Sequence, residues 1–360
     1  MVRGVLDICA ALAAAGHDVK FFTSDAPDIP AEWVSQAIGV PRAKTIPLPS
    51  MIGSISPEVE SALGTADVLH LHTPWEPANV ALARAARRHR VPYVVSTHGM
   101  LDNWSIRQKW LKKRLYLRLI GHRFLAGAAR VHCTAEAELA QASRFLRPGS
   151  GSVVPLPIDL APFMDLPGPQ EAIRTFALDP AQPRILLLSR LHPVKRPELL
   201  IEAAAKLAAT HPCQLIIAGP GETAYVSSLR QLVHRFGLEE RVIFPGMVRG
   251  TTKISLYQAA NVFVLPSSQE NFGLVLIEAL VAGTPVITTR AVGIWEELQR
   301  AGATIIEPTA DHLAKAIQSV LSDPSQARQL GERGRQWVLR EFSPQRVAGL
   351  YEQMYRSAAP

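Results

Sequence analysis

The chain has 360 residues, 48% of them hydrophobic, which is too long for one ordinary core and suits two domains of about 150–200 residues each. No apolar run approaches the ~20 residues of a membrane-spanning helix, and the three cysteines, Cys9, Cys133 and Cys213, lie far apart without Cys-x-x-Cys spacing, so neither a disulfide framework nor a zinc site is indicated. The formal charge of +7 suits nucleic acid, anionic lipid or phosphorylated substrates equally and does not choose among them.

The amino end, MVRGVLDICAALAAAGHDV, has the outline of a signal peptide, but Asp7 interrupts its apolar part and Gly16-His17-Asp18 leads straight into a strand. A helix over 2–15 and a reducing cytoplasm are therefore expected. Opening on a helix omits the strand and glycine-rich turn that normally precede it in a parallel sheet. The expectation is a start codon set too far downstream, with a degenerate protein as the alternative, because the remaining sheet would leave backbone groups without partners.

Short apolar strands then alternate with amphipathic helices, the pattern of an α/β protein with two doubly wound parallel sheets. The first half carries strands at 19–23, 68–72, 93–97 and 130–134. The second carries them at 184–189, 214–218, 242–244, 262–265, 285–288 and 303–306. Between the halves, Pro155, Pro157, Pro162, Pro167 and Pro169 exclude long helices from 148–169. The domains are expected at 1–155 and 156–343, with a last helix at 344–360 packing back on the first.

Within the first half, residues 103–123 crowd Arg107, Lys109, Lys112, Lys113, Arg114, Arg118 and Arg123 among Trp104, Trp110, Leu111, Leu115, Tyr116 and Leu119. Such a segment could rest on an anionic membrane surface. The other reading is an ordinary helix whose apolar stripe packs on the sheet while its charges face water. No nucleic-acid-binding module accompanies it.

In the second half, the strand at 184–189 runs into a loop with Arg190 and Lys195, where open sheets bind ligands. These two could clamp a pyrophosphate, Arg by a forked contact and Lys as a point charge, or be solvated loop charges. Gly219 and Gly221 end the next strand and allow close backbone approach to a base or ribose, although Gly-x-Gly is more often a tight turn. The sharpest feature is PSSQENFGLVLIEALVAGTP at 266–285, which sets Glu270 and Glu278 eight positions apart around Gly273. A strand, a loop and a helix ending at Gly283 put one carboxylate on the loop and one on the helix. The first free amides of that helix, from Gly273, Leu274 and Val275, point outward where a phosphate would sit. Taken singly, each acid could be a helix-start charge or a solvated helix face.

The second half resembles the nucleotide-binding domain of retaining glycosyltransferases of family 4, with the GT-B fold, over most of residues 150–345. Glu270 and Glu278 match that family's Glu-x7-Glu signature, and SRLHPVK resembles its Arg-Leu-x3-Lys phosphate motif, with Ser189 where a glycine is usual. The first half resembles the acceptor domain through Gly16-His17-Asp18-Val19, DVLHLHTPW and VVSTHGML, although Pro155-Leu156-Pro157 replaces the usual Pro-Asn-Gly. A histidine taken alone is more often structural, and His70 and His72 are expected to include such cases.

The resemblance implies two Rossmann-like domains facing a cleft and transfer of a sugar from a nucleotide-diphosphate donor to a hydroxyl of a glycan or lipid-linked acceptor, with anomeric retention. It places the work in cell-surface polysaccharide synthesis, in the cytoplasm or peripherally on the inner face of the plasma membrane. Glu270 would orient the donor sugar, Glu278 would hold the ribose, and His98 would reach the sugar from the first domain. Arg190, Lys195 and the amides at Gly273–Val275 would stabilise the leaving pyrophosphate. The chain has no Asp-x-Asp, so neither a metal nor another cofactor is expected. A nucleotide-sugar epimerase or phosphorylase on the same fold, or a non-catalytic sugar-nucleotide-binding subunit, are the alternatives.

Overall fold

The computed structural model describes residues 2–24, 29–30, 33, 40–46 and 49–359. The chain divides into two compact units, Met1–Asp159 with Phe342–Pro360, and Leu160–Glu341.

The second unit is built on strands β7 (Arg184–Leu188), β8 (Gln214–Ala218), β9 (Val242–Gly246), β10 (Val262–Leu265), β11 (Val286–Thr289) and β12 (Thr304–Ile306). Strands β1 to β6 lie in the first unit. The six strands are parallel in the order β12-β11-β10-β7-β8-β9. Ile185, Leu187, Leu215, Ile217, Val262 and Val264 share one core with Leu199, Leu200 and Ala203 of the helix Pro197–Leu207 and Leu313 and Ile317 of the helix Ala310–Ser322. Successive strand residues face opposite sides, so Leu186, Ile216 and Phe263, all fully buried, serve the other face, where Tyr257 lies against Phe263 at 5.5 Å. Strands covered on both faces are continuously apolar, which is why RILLL, LIIA and VFVL were readable. At about 1.5–3 kcal/mol per large buried side chain, this layer dominates the unit's cohesion.

In the first unit, β3 (Leu69–His72), β4 (Tyr93–Ser96), β5 (Arg130–Cys133) and β6 (Gly151–Val153) form a parallel sheet in that order, while β1 (Lys20–Thr23) pairs with β2 (Arg42–Thr45). The last helix, Pro344–Arg356, packs against the helix Val2–Ala14. Val347, Tyr351 and Met354 join Ile8, Leu12, Val94 and Val154 in one cluster. Strands β2 and β6 were not anticipated. The first, RAKT, is mostly exposed and polar, and the second is three residues long inside the proline-rich stretch, so neither carries an apolar signal. Among the described residues no helix is long and apolar enough to cross a membrane.

One close approach fixes the loops after β7 and β8. Gly219 has φ of 129°, and a Cβ there would lie 1.8 Å from the Ser189 carbonyl oxygen. Gly219→Ala is expected to destabilise the second unit by about 2 kcal/mol or more, read as a lower urea midpoint. An unchanged midpoint would show that the two loops separate freely.

Candidate active site

The strand order of the second unit reverses at β7, which has β8 on one side and β10 on the other, and the carboxyl ends of strands at such a switch are where open parallel sheets bind ligands. The loop after β7 supplies Lys195, from the short 3-10 turn Pro193–Lys195, and the loop after β10 supplies Glu270. The structure joins them in an ion pair, Lys195 Nζ to Glu270 Oε2, with side chains 15% and 19% exposed. Both loops are pinned. Ser268 N–H donates to Val194 C=O at 2.9 Å, Glu270 N–H donates to Ala291 C=O at 3.0 Å, and Gly293 N–H donates to Glu270 C=O at 2.9 Å.

Glu270 also runs beside the start of the helix Leu274–Val281. Gly273 caps it with φ of 76°, and a Cβ at Gly273 would lie 3.2 Å from Glu270 Cγ and 2.7 Å from Leu276 Cδ1. The amides of Gly273, Leu274 and Val275 precede the first intrahelical bond, so the ion pair sits at the positive end of the helix. Four residues into the helix, Glu278 is held by two groups on the helix Gly250–Ala259. Lys253 Nζ donates to Oε1 at 2.7 Å and Tyr257 OH donates to Oε2 at 2.8 Å. Burial, with the Glu278 charge beside it, raises the Tyr257 phenol well above its ordinary value and keeps it a donor. Lys253 and Tyr257 were not found in the sequence, because nothing local marks a residue 21 or 25 positions away as a partner.

Arg190 is exposed two residues beyond β7 and takes no part in the Lys195–Glu270 pair. Gly221 forms a parallel bridge with Leu191, whose N–H donates to Pro220 C=O at 2.7 Å, so the Gly219–Gly221 segment is tied to the loop that carries Arg190.

In the first unit, His98 follows β4 in a turn closed by Met100 N–H on Thr97 C=O at 2.9 Å, with φ of 47° at His98 and 74° at Gly99. His98 Nε2 lies 3.0 Å from His72 Nδ1, and His72 stacks on His70 at 4.4 Å. His70 is a structural residue: its ring nitrogens meet Tyr355 OH at 2.8 Å and Ser96 Oγ at 2.7 Å, and Ser96 Oγ meets His132 Nδ1 at 2.6 Å. Burial lowers all four histidines, with repulsion from their neighbours adding to it for His70, His72 and His98. His98 falls to about 4.

Residues 103–123 depart from the simple picture of an apolar stripe facing the sheet. Leu117 packs inward with Ile106 and Ile120 against the same core, but Trp110, Leu111, Leu115 and Leu119 are exposed.

Residues 1–158 match the model of the glycosyl transferase 4-like domain and residues 170–337 that of the glycosyl transferases group 1. D-inositol 3-phosphate glycosyltransferase 2 of Catenulispora acidiphila is 30% identical, over 78% of this chain and 68% of that protein. The chain belongs to the family 4 glycosyltransferases. An uncharacterized glycosyltransferase of Methanocaldococcus jannaschii is 35% identical over 42% of this chain and 38% of its own length. Among solved structures, Anabaena Alr3699/HepE in complex with UDP superposes with a TM-score of 0.80 at 21% identity, covering 99% of this chain and 95% of that one. The fold is GT-B.

In this glycosyltransferase one further residue supports His98. Glu138, 2% exposed, accepts from Thr97 Oγ1 and Gly99 N–H at 2.5 Å each, and from Thr134 N–H and Oγ1 at 2.7 and 2.8 Å. Burial pushes its carboxyl up, but these donors more than offset it and the net is below the ordinary carboxylate value. It therefore braces both sides of the left-handed His98 turn. The sequence shows an acid in the first turn of the helix Glu136–Ala142, but not its reach back to Gly99.

Every neighbour named for Glu138 is a donor, so Glu138→Gln turns an amide NH2 toward one of them. It is expected to cost about 1–3 kcal/mol of stability. In transfer rate it should combine with His98→Ala by less than the sum of the two effects. Strict additivity would separate Glu138 from His98.

The histidine cluster gives a pH dependence. The folded state holds the neutral rings, so below pH 6.5 the unfolded chain binds more protons and stability falls, progressively toward about pH 4. The groups facing one another there are His70, His72, His98, His132, Glu138, Tyr351 and Tyr355. Melting temperature against pH should drop across that interval in the wild type and less steeply in His72→Phe, and parallel curves would refute the assignment.

Proposed function

We propose that this glycosyltransferase transfers a sugar from a nucleotide-diphosphate sugar to a hydroxyl of a glycan or lipid-linked acceptor, with retention at the anomeric carbon and without a metal ion. The observation that carries the reading is the Lys195–Glu270 pair at the start of the helix Leu274–Val281, beside the β7/β10 switch. The Anabaena structure with UDP supports a nucleoside diphosphate as the leaving group.

The chemistry follows from charge. Breaking the glycosyl–phosphate bond places negative charge on the bridging oxygen and releases the nucleoside diphosphate, while the acceptor oxygen bonds to the anomeric carbon on the face the phosphate leaves and gives its proton to that departing oxygen. Lys195, resting on Glu270, turns its ammonium to the phosphate, with Arg190 adding a forked donor and the amides at Gly273, Leu274 and Val275 a fixed dipole. Glu270, released from Lys195, accepts from hydroxyls of the donor sugar. Glu278, oriented by Lys253 and Tyr257, accepts from the ribose hydroxyls, and His98 contacts the sugar. Gly219 and Gly221 leave room for the nucleoside against the backbone. Cell-surface polysaccharide synthesis on the inner face of the plasma membrane is the setting we infer, with residues 103–123 resting peripherally on anionic lipid.

Nucleotide sugars screened by thermal stabilisation should identify the donor, since a ligand at about 100 times its Kd adds about 2.7 kcal/mol. With that donor, Lys195→Ala and Glu270→Gln are each expected to lower turnover about a hundredfold or more in protein that remains folded, with a lower melting temperature because one charge loses its partner, and a chelator should leave the wild-type rate intact. Full turnover in both variants would refute the site, and inversion at the anomeric carbon in the product would refute retention.

A further inference from the structure

Five of the nine large apolar side chains exposed among the described residues, Trp104, Trp110, Leu111, Leu115 and Leu119, lie in one 16-residue stretch at 44–65% exposure. Leu111, Leu115 and Leu119 recur at four-residue intervals along the helix Trp110–Tyr116 and the π-helical turn Leu117–Gly121, and so form a ridge. The fold does not need this ridge, because the segment is held by its other side. Leu117, Phe124 and Leu125 are in the core, Tyr116 OH donates to Pro74 C=O at 3.1 Å, and Lys113 Nζ donates to Ser105 C=O at 2.6 Å and lies 5.1 Å from the Trp75 ring centre.

Beside the ridge is a cavity of about 300 Å3 lined by Leu117, Arg118, His122, Arg144 and Phe145. Arg118 and His122 come from the π turn and the first residue of the helix His122–Ala126, and Arg144 from the 3-10 turn Ser143–Phe145. The Arg144 guanidinium stacks 4.7 Å from the Phe145 ring, which leaves its edge donors for a ligand. Two guanidinium groups and an imidazole over an apolar floor suit a phosphate that carries an apolar substituent.

We propose that the ridge and cavity form one docking site for an anionic phospholipid, with Leu111, Leu115 and Leu119 entering the acyl boundary and the lipid phosphate held by Arg118, His122 and Arg144. This rests on the peripheral-membrane reading above and adds a defined headgroup site to it. The occupant is lipid rather than a soluble phosphate because a soluble anion would have no use for the three exposed leucines. It is lipid rather than nucleic acid because three exposed leucines at helical spacing gain nothing against bases but are buried by acyl chains, and the exposed Trp104 and Trp110 beside them suit the headgroup boundary.

The test is cosedimentation of the full chain with vesicles of phosphatidylcholine alone or mixed with phosphatidylglycerol. The wild type should pellet with the anionic vesicles only. Leu111→Ser/Leu115→Ser/Leu119→Ser should abolish pelleting at an unchanged melting temperature, as expected for exposed side chains. Arg118→Ala/Arg144→Ala should weaken it by about tenfold more than the charge-matched Lys112→Ala/Arg114→Ala, because forked phosphate contacts exceed diffuse attraction. Equal losses in the two charge variants would overturn the headgroup site while leaving peripheral binding in place. Absence of wild-type binding to anionic vesicles would overturn both. Loss of transfer activity with soluble substrates is not expected in any of these variants, so failure here is separate from failure of the catalytic reading.

Discussion

The pairing of β7 with β8 on one side and β10 on the other is the constraint on which the second unit depends. It sets two loops, distant in sequence, at neighbouring strand ends. Lys195 and Glu270 meet because those loops are the only continuations available to buried parallel strands, and backbone bonds from Ser268, Glu270 and Gly293 hold them there. Gly273 then matters twice. Its positive φ starts the helix, and its missing side chain leaves space for Glu270 and Leu276. A partly buried ion pair contributes little net stability, since desolvation offsets attraction. Its value here is in holding a cation and an acid ready beside a helix dipole.

The first unit uses the same physics with neutral groups. Four histidines, a serine and a tyrosine satisfy one another around the ends of β3, β4 and β5, under the last helix. Burial makes the neutral imidazoles the stable forms, so the cluster works as a set of hydrogen-bonding rings rather than charges. Glu138 is the exception: it remains an acceptor, taking bonds from Thr97 Oγ1, Gly99 N–H, and Thr134 N–H and Oγ1. That carboxylate anchors the left-handed turn of His98 through Thr97 on one side and Gly99 on the other.

Residues 103–123 show why amphipathicity on its own is ambiguous. The same segment buries Leu117, packs Ile106 and Ile120 against the core and exposes Leu111, Leu115 and Leu119. A single periodic stripe would do one or the other. Leu117 stands two residues from both Leu115 and Leu119, which on a helix is the opposite face, so apolar residues line both sides of this segment.

Strands buried on both faces were legible because RILLL, LIIA and VFVL permit no other efficient burial, and the helix after Gly273 because a glycine and an apolar run mark its start. The acids Glu270 and Glu278 stood out through their spacing around that glycine. Strands β2 and β6 were missed because short polar or three-residue strands are defined by the neighbour they pair with. Local chemistry alone therefore determined the α/β class, the central strands and the residues able to hold charge. The partners of those residues, Lys253 and Tyr257 for Glu278, Glu138 for His98 and Glu270 for Lys195, were decided only by the tertiary structure, because hydrogen bonds and ion pairs depend on distance in space and these groups lie far apart along the chain.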